Sequence, residues 1–166
     1  MSVRPPATVD IVIKAKAWQT AAPGIARIVR RAADAVFAAE RIKAPVELSV
    51  VLATDAAVQK LNKTYRGKDK PTNVLSFPTG EPALLGDVVL AYGTVAREAR
   101  GEEKPFQNHV SHLVVHGVLH LLGYDHERMS EAEKMEARET KILASLGVPD
   151  PYALPARLAR KARKKL

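Results

Sequence analysis

The chain has 166 residues, 46% apolar and 27% charged, the composition of one soluble globular domain rather than a disordered segment. It has no cysteine, which excludes a disulfide scaffold, a thiolate nucleophile and any zinc site built on thiolates. Lysine and arginine number 26 against 18 acidic residues, a formal charge of +8 that points to an anionic partner. Aromatics make up 5%, too few for a broad base-stacking platform. The start, MSVRPPATVD, lacks the apolar run of a secretory signal, and no stretch is apolar for about 18 residues. A cytoplasmic protein with no membrane partner is expected.

In chain order, Asp10 to Lys14 (DIVIK) is β-branched and alternating, a short strand. Pro23 opens a helix running to about Glu40, with Ile25, Ile28, Val29, Ala32, Ala33 and Val36 at helical spacing. Val46 to Leu52 is a second strand. Thr54 is placed to cap a helix carrying Val58 and Leu61. Tyr65 to Asn73 is a polar loop with Gly67 and Pro71 as breakers. Val74 to Phe77 and Asp87 to Tyr92 are two more strands, joined by residues 79–85. Helices follow over Thr94 to about Glu102 and over Phe106 to Leu122. The second is almost wholly apolar, so it should be buried. Ser130 and Glu133 match a capping box opening a last helix to about Leu146, before Gly147 and Pro149. The pattern predicts an α+β domain over residues 1–150: a mixed sheet of about four strands covered by helices, with residues 151–166 as a basic tail.

Four of the five histidines, His109, His112, His116 and His120, lie on the buried helix, and His126 follows just after it. Residues four apart stand on one helix face, so His116 and His120 can reach one ion. Gly123 can end the helix with positive φ, letting the chain fold back and bring His126 to the same ion. Three imidazoles leave a tetrahedral position open, the pattern of a catalytic zinc site, zincin-like in form. His112 is a candidate to support the ligands from behind, and His109 is expected near solvent. Asp125 either orients a ligand imidazole or pairs with a nearby arginine. Ser76 and Asp87 could border the cleft or serve as turn or backbone caps.

The spacing H-x-x-x-H-x-x-G-x-x-H is also that of metzincin peptidases, which carry a general-base Glu directly after the first His. Here that residue is Gly117, so the peptidase mechanism lacks its proton acceptor unless Asp125 or Glu127 substitutes.

The full run from His116 to His126, HGVLHLLGYDH, resembles the signature of the YbeY family of bacterial endoribonucleases. Leu61 to Pro78 (LNKTYRGKDKPTNVLSFP) and Leu85 to Leu90 (LGDVVL) resemble two further stretches of that family. The resemblance spans roughly residues 8 to 150. It implies a sheet of about four strands, one zinc ion held by His116, His120 and His126, and a cytoplasmic location. It also implies cleavage of single-stranded RNA in 3′-end maturation of small-subunit rRNA and in ribosome quality control, with the small ribosomal subunit as partner and no DNA. Arg66 matches the family's functional arginine and would clamp a phosphate, with Lys68 adding positive field to the cleft. Either water activated at the metal or the adjacent RNA 2′-OH would attack phosphorus. Asn73 departs from the family's usual Asp. A metallopeptidase and a non-catalytic ribosome-assembly factor are the alternatives. Six of the eight surplus charges, Arg157, Arg160, Lys161, Arg163, Lys164 and Lys165, fall in the tail, which reads as an electrostatic arm for RNA or a solubilising end.

Overall fold

The computed structural model describes residues 7–153. The six basic tail residues lie outside the described residues. In chain order the elements are β1 (Ala7–Ile13), α1 (Ala17–Ala21), α2 (Ile25–Ala39), β2 (Val46–Ala53), α3 (Asp55–Arg66), β3 (Val74–Pro78), β4 (Leu84–Ala91), α4 (Tyr92–Gly101), α5 (Phe106–Leu121) and α6 (Met129–Ser145). The strands form one mixed sheet in the order β1-β2-β4-β3. β1, β2 and β4 run parallel, and β3 joins β4 antiparallel at the edge. The α+β fold with a four-stranded mixed sheet expected from the sequence is the one observed.

The two faces of the sheet follow from strand alternation. Leu48, Val50, Leu52, Val88 and Leu90 enter the main core with residues of α2, α5 and α6. Ala53, Leu75, Val89 and Ala91 form a smaller core with Val58 of α3. α2 presents its expected stripe, and Ile25, Val29, Ala32, Ala33 and Val36 are all buried. α5 is buried along ten of its residues, as its apolar composition requires.

Four local expectations change. The single turn α1, too short to show a period, is held by the fully buried Trp18, whose Nε1 donates to the Ala53 carbonyl at 3.0 Å. α3 continues to Arg66 and is closed by Gly67 at φ +69, so Tyr65 and Arg66 belong to a helix and not to a loop. Ser130 caps nothing: α6 starts at Met129 after Arg128, without a side-chain cap. The extended Arg128, at φ −107 and ψ 147, stands at the cap position, so Ser130 falls inside the first turn. Strand β4 begins at Leu84, earlier than its apolar run suggests, because Glu47 pairs with Leu84. By contrast, Thr54 does cap α3, accepting from the Ala57 N–H at 3.1 Å.

Candidate metal centre

His116 and His120 stand one turn apart on α5, with ring centroids 4.6 Å apart. After Leu121 the Gly123 N–H returns to the His120 carbonyl and the Tyr124 N–H to that of Leu119. Gly123 has φ +104, a conformation that side-chain-bearing residues rarely adopt. The reversal brings His126 alongside, its centroid 4.8 Å from His120 and 5.8 Å from His116. One nitrogen from each of the three rings lies within 4.8 Å of the others, an arrangement that could hold a metal ion.

The turn carrying His126 is pinned from a distant part of the chain. The Tyr124 hydroxyl donates to Glu40 Oε2 at 2.9 Å, and Glu40 Oε1 accepts from Arg138 Nε and Nη2 at 2.9 and 2.6 Å. Among the described residues Asp125 makes neither contact considered for it. Its Oδ1 accepts the His126 backbone N–H at 2.7 Å and so shapes the turn.

The principal residue missed from sequence is Glu139, fully buried on α6. Its Oε1 lies 2.8 Å from His116 Nδ1 and 3.1 Å from His112 Nε2, and its Oε2 accepts from the Tyr152 hydroxyl at 2.5 Å. Burial would raise its carboxyl, but the bonds from His112, His116 and Tyr152 outweigh that and bring it down to about 2. Glu139 is therefore held as a carboxylate acceptor, and a His116 Nδ1–H donated to it would leave Nε2 of that ring for a metal. A signal existed: Glu139 sits in the apolar stripe of Met135, Ile142 and Leu143, where an unpaired carboxylate is not tolerated. For His120, burial comes first, followed by the neighbouring His116 and His126, in holding its pKa below the ordinary value. A neutral imidazole is the form that binds metal. The donor set fits a borderline divalent cation such as Zn²⁺.

His112 lies behind the cluster, with Nε2 at 3.1 Å from Glu139 Oε1. His109 departs from expectation: it is 4% exposed, with Nε2 at 2.9 Å from Glu98 Oε1. Glu98 also accepts from Asn73 Nδ2 at 3.0 and 3.3 Å. An Asp at position 73 would set a second carboxylate against Glu98, so the amide suits this pairing.

Arg66, at the end of α3, donates from Nη2 to the Ser76 carbonyl at 2.7 Å and lies over the Phe77 ring, 5.6 Å from its centroid. Ser76 Oγ in turn donates to the Gly117 carbonyl at 3.2 Å, so one residue of the edge strand connects Arg66 to the helix of His116. Lys68 is exposed in the following loop, and Asp87 is exposed on β4. At Gly117 a Cβ would come within 2.5 Å of Val88 Cγ1. The position that carries the general base in metzincins here has no room for a side chain.

A family model described as Endoribonuclease YbeY matches residues 10–147. The chain is 50% identical to an Endoribonuclease YbeY of a Bradyrhizobium species, over 95% of this chain and 99% of that one. It is 51% identical to an Endoribonuclease YbeY of Rhodopseudomonas palustris, over 87% of this chain and 80% of that one. A Thermotoga maritima protein solved in solution shares the fold, with a TM-score of 0.58 and 24% identity over 90% of this chain and 99% of its own.

Proposed function

Because this chain belongs to the YbeY endoribonuclease family, we propose that it is a zinc-dependent endoribonuclease cutting single-stranded RNA. It acts in 3′-end maturation of small-subunit rRNA and in ribosome quality control, in the cytoplasm. The observation that carries the metal assignment is the convergence of His116, His120 and His126 with Glu139 behind them.

The residues divide the work. Glu139 holds the His116 Nδ1 proton and presents Nε2 to the ion. His120 and His126 would complete the donor set. These residues would hold one Zn²⁺ per chain, which when bound would supply Lewis acidity for water and for the charge on a phosphodiester. Among the described residues Arg66 commits one N–H to Ser76, which would leave its other donors for a phosphate oxygen. Lys68 adds positive charge on the loop just beyond it. No helix among the described residues is long and apolar enough to cross a membrane. Peptide hydrolysis is disfavoured, because Gly117 supplies no base and Val88 leaves no space for one.

Metal analysis combined with cleavage of a defined single-stranded RNA tests the reading. Wild type should contain one zinc and cut. His120→Ala should lose both metal and cleavage. Arg66→Ala should keep its metal and lose cleavage on the order of 100-fold. Intact cleavage in the Arg66 variant removes the phosphate clamp. A folded His120→Ala that keeps rRNA affinity and still supports rRNA maturation assigns the protein to assembly rather than catalysis. Product ends distinguish the attacking group, since a 2′,3′-cyclic phosphate identifies the RNA 2′-OH.

A further inference from the structure

Resting on the metal reading above, we propose that Tyr152 is a positioning residue for the metal centre, acting on His116 through Glu139. Tyr152 lies beyond the end of α6, outside the histidine motif, yet its hydroxyl is the donor to Glu139 Oε2 at 2.5 Å. The other oxygen, Oε1, takes His116 Nδ1 and His112 Nε2. The carboxylate is fully buried, and among the described residues no lysine or arginine pairs with it. Its orientation is therefore set by three donors alone. Two of them crowd one oxygen, so the third decides which rotation about the last side-chain bond is held.

Tyr152 is suited to that task. Burial and then the Glu139 carboxylate keep its phenol protonated well above the ordinary range, so it remains a donor. Its ring stands edge-on to His112, 5.5 Å between centroids. The segment that carries it is tied down at two further points. Thr140 Oγ1 donates to Asp150 Oδ1 at 3.2 Å, and Lys104 Nζ donates to the Pro151 carbonyl at 2.5 Å. Asp150 Oδ1 also accepts the Tyr152 N–H at 2.9 Å. The turn over residues 150–152 is thus a fixed clasp whose Tyr152 hydroxyl reaches the carboxylate behind His116 and lies 3.3 Å from His112 Nε2. Through it, residues past α6 become part of the metal centre.

Tyr152→Phe tests the claim, because it keeps the ring against His112 and both outer ties while removing the hydroxyl that reaches Glu139 and lies 3.3 Å from His112 Nε2. The measurement is Zn²⁺ affinity of the full chain by competition with a chromogenic chelator, alongside the unfolding midpoint of the metal-free protein. Glu139→Gln, which removes the buttress itself, should weaken Zn²⁺ about 10–100-fold. Tyr152→Phe should weaken it about 3–10-fold, with the metal-free midpoint nearly unchanged. A chain ended after Ala153 should bind as wild type, and one ended after Asp150 should lose at least as much as Tyr152→Phe. Wild-type affinity in Tyr152→Phe overturns the proposal, as does a lowered metal-free midpoint with unaltered affinity, which marks packing alone. An independent readout needs no variant. In the zinc-loaded wild type the His116 Nδ1–H should give a slowly exchanging, downfield imidazole proton resonance, and its absence also overturns the proposal. If wild type takes up no Zn²⁺, the metal reading itself fails, a result distinct from a variant that matches wild type.

Discussion

Gly117 occupies the point where α5 crosses the sheet, with its carbonyl taken by Ser76 and its missing side chain replaced by Val88. Gly117→Ala should cost about 1–3 kcal/mol by overpacking, after allowing for the gain in helix propensity. The check is the urea midpoint of the metal-free protein. A neutral or stabilised variant would show that the crossing has slack. The histidine cluster was legible because its geometry is local: one helical turn from His116 to His120, then a glycine-permitted reversal to His126. Glu139 and Tyr152 were not, since Glu139 meets His116, and Tyr152 meets Glu139, only once α6 and the turn after it have packed. His109 illustrates the same limit. Its burial depends on Glu98 of α4 supplying a partner, which helical spacing on α5 does not reveal.

At the level of elements, α3 carries Arg66 at one end and is fastened at the other. Asp55 Oδ1 accepts the Thr94 N–H and hydroxyl, and Oδ2 accepts Arg97 Nη2 at 3.1 Å, joining the starts of α3 and α4. Burial would raise the Asp55 pKa, but the bonds from Thr94 and Arg97 hold it below the ordinary 3.8. A depressed carboxylate contributes its stability in full above the unfolded value and loses it as pH falls through the folded one. Asp55→Asn should thus be less stable by about 1–3 kcal/mol at pH 7. The gap should narrow once pH drops below about 4. Urea titrations across pH would show this, and a gap that stays constant to pH 2 would assign the effect to shape rather than charge. Thr54 announced this helix because capping is a contact within one turn. Its length past Tyr65 was hidden, because the polar run looks like a loop until Gly67 closes the helix. The apparent box at Ser130 failed because Arg128 stands at the cap position and Ser130 falls inside the first turn.

For the whole molecule, strand number and class were readable from alternation, whereas the order β1-β2-β4-β3 and the reversed edge strand were not. Pairing order is a long-range property that no local pattern encodes. The charge divides in the same way. Residues 1–150 carry 20 basic and 18 acidic groups, so the surplus resides mainly in the tail. Removing residues 156–166 should weaken RNA binding and flatten its dependence on salt, by up to about 4 in the log–log slope if all six charges engage phosphate. Zinc content should not change, and an unaltered slope would make the tail a solubilising end only. The tie from Tyr124 to Glu40, and from Glu40 to Arg138, has a consequence for the order of events. These contacts span separations of 84 and 98 residues, so the turn bearing His126 is held only after α2 and α6 have docked. Before that, the chain offers a metal little more than two imidazoles on a nascent helix. With a metal held at the proposed site, tight uptake would then be a late step in maturation and would distinguish a finished molecule from a partly folded one.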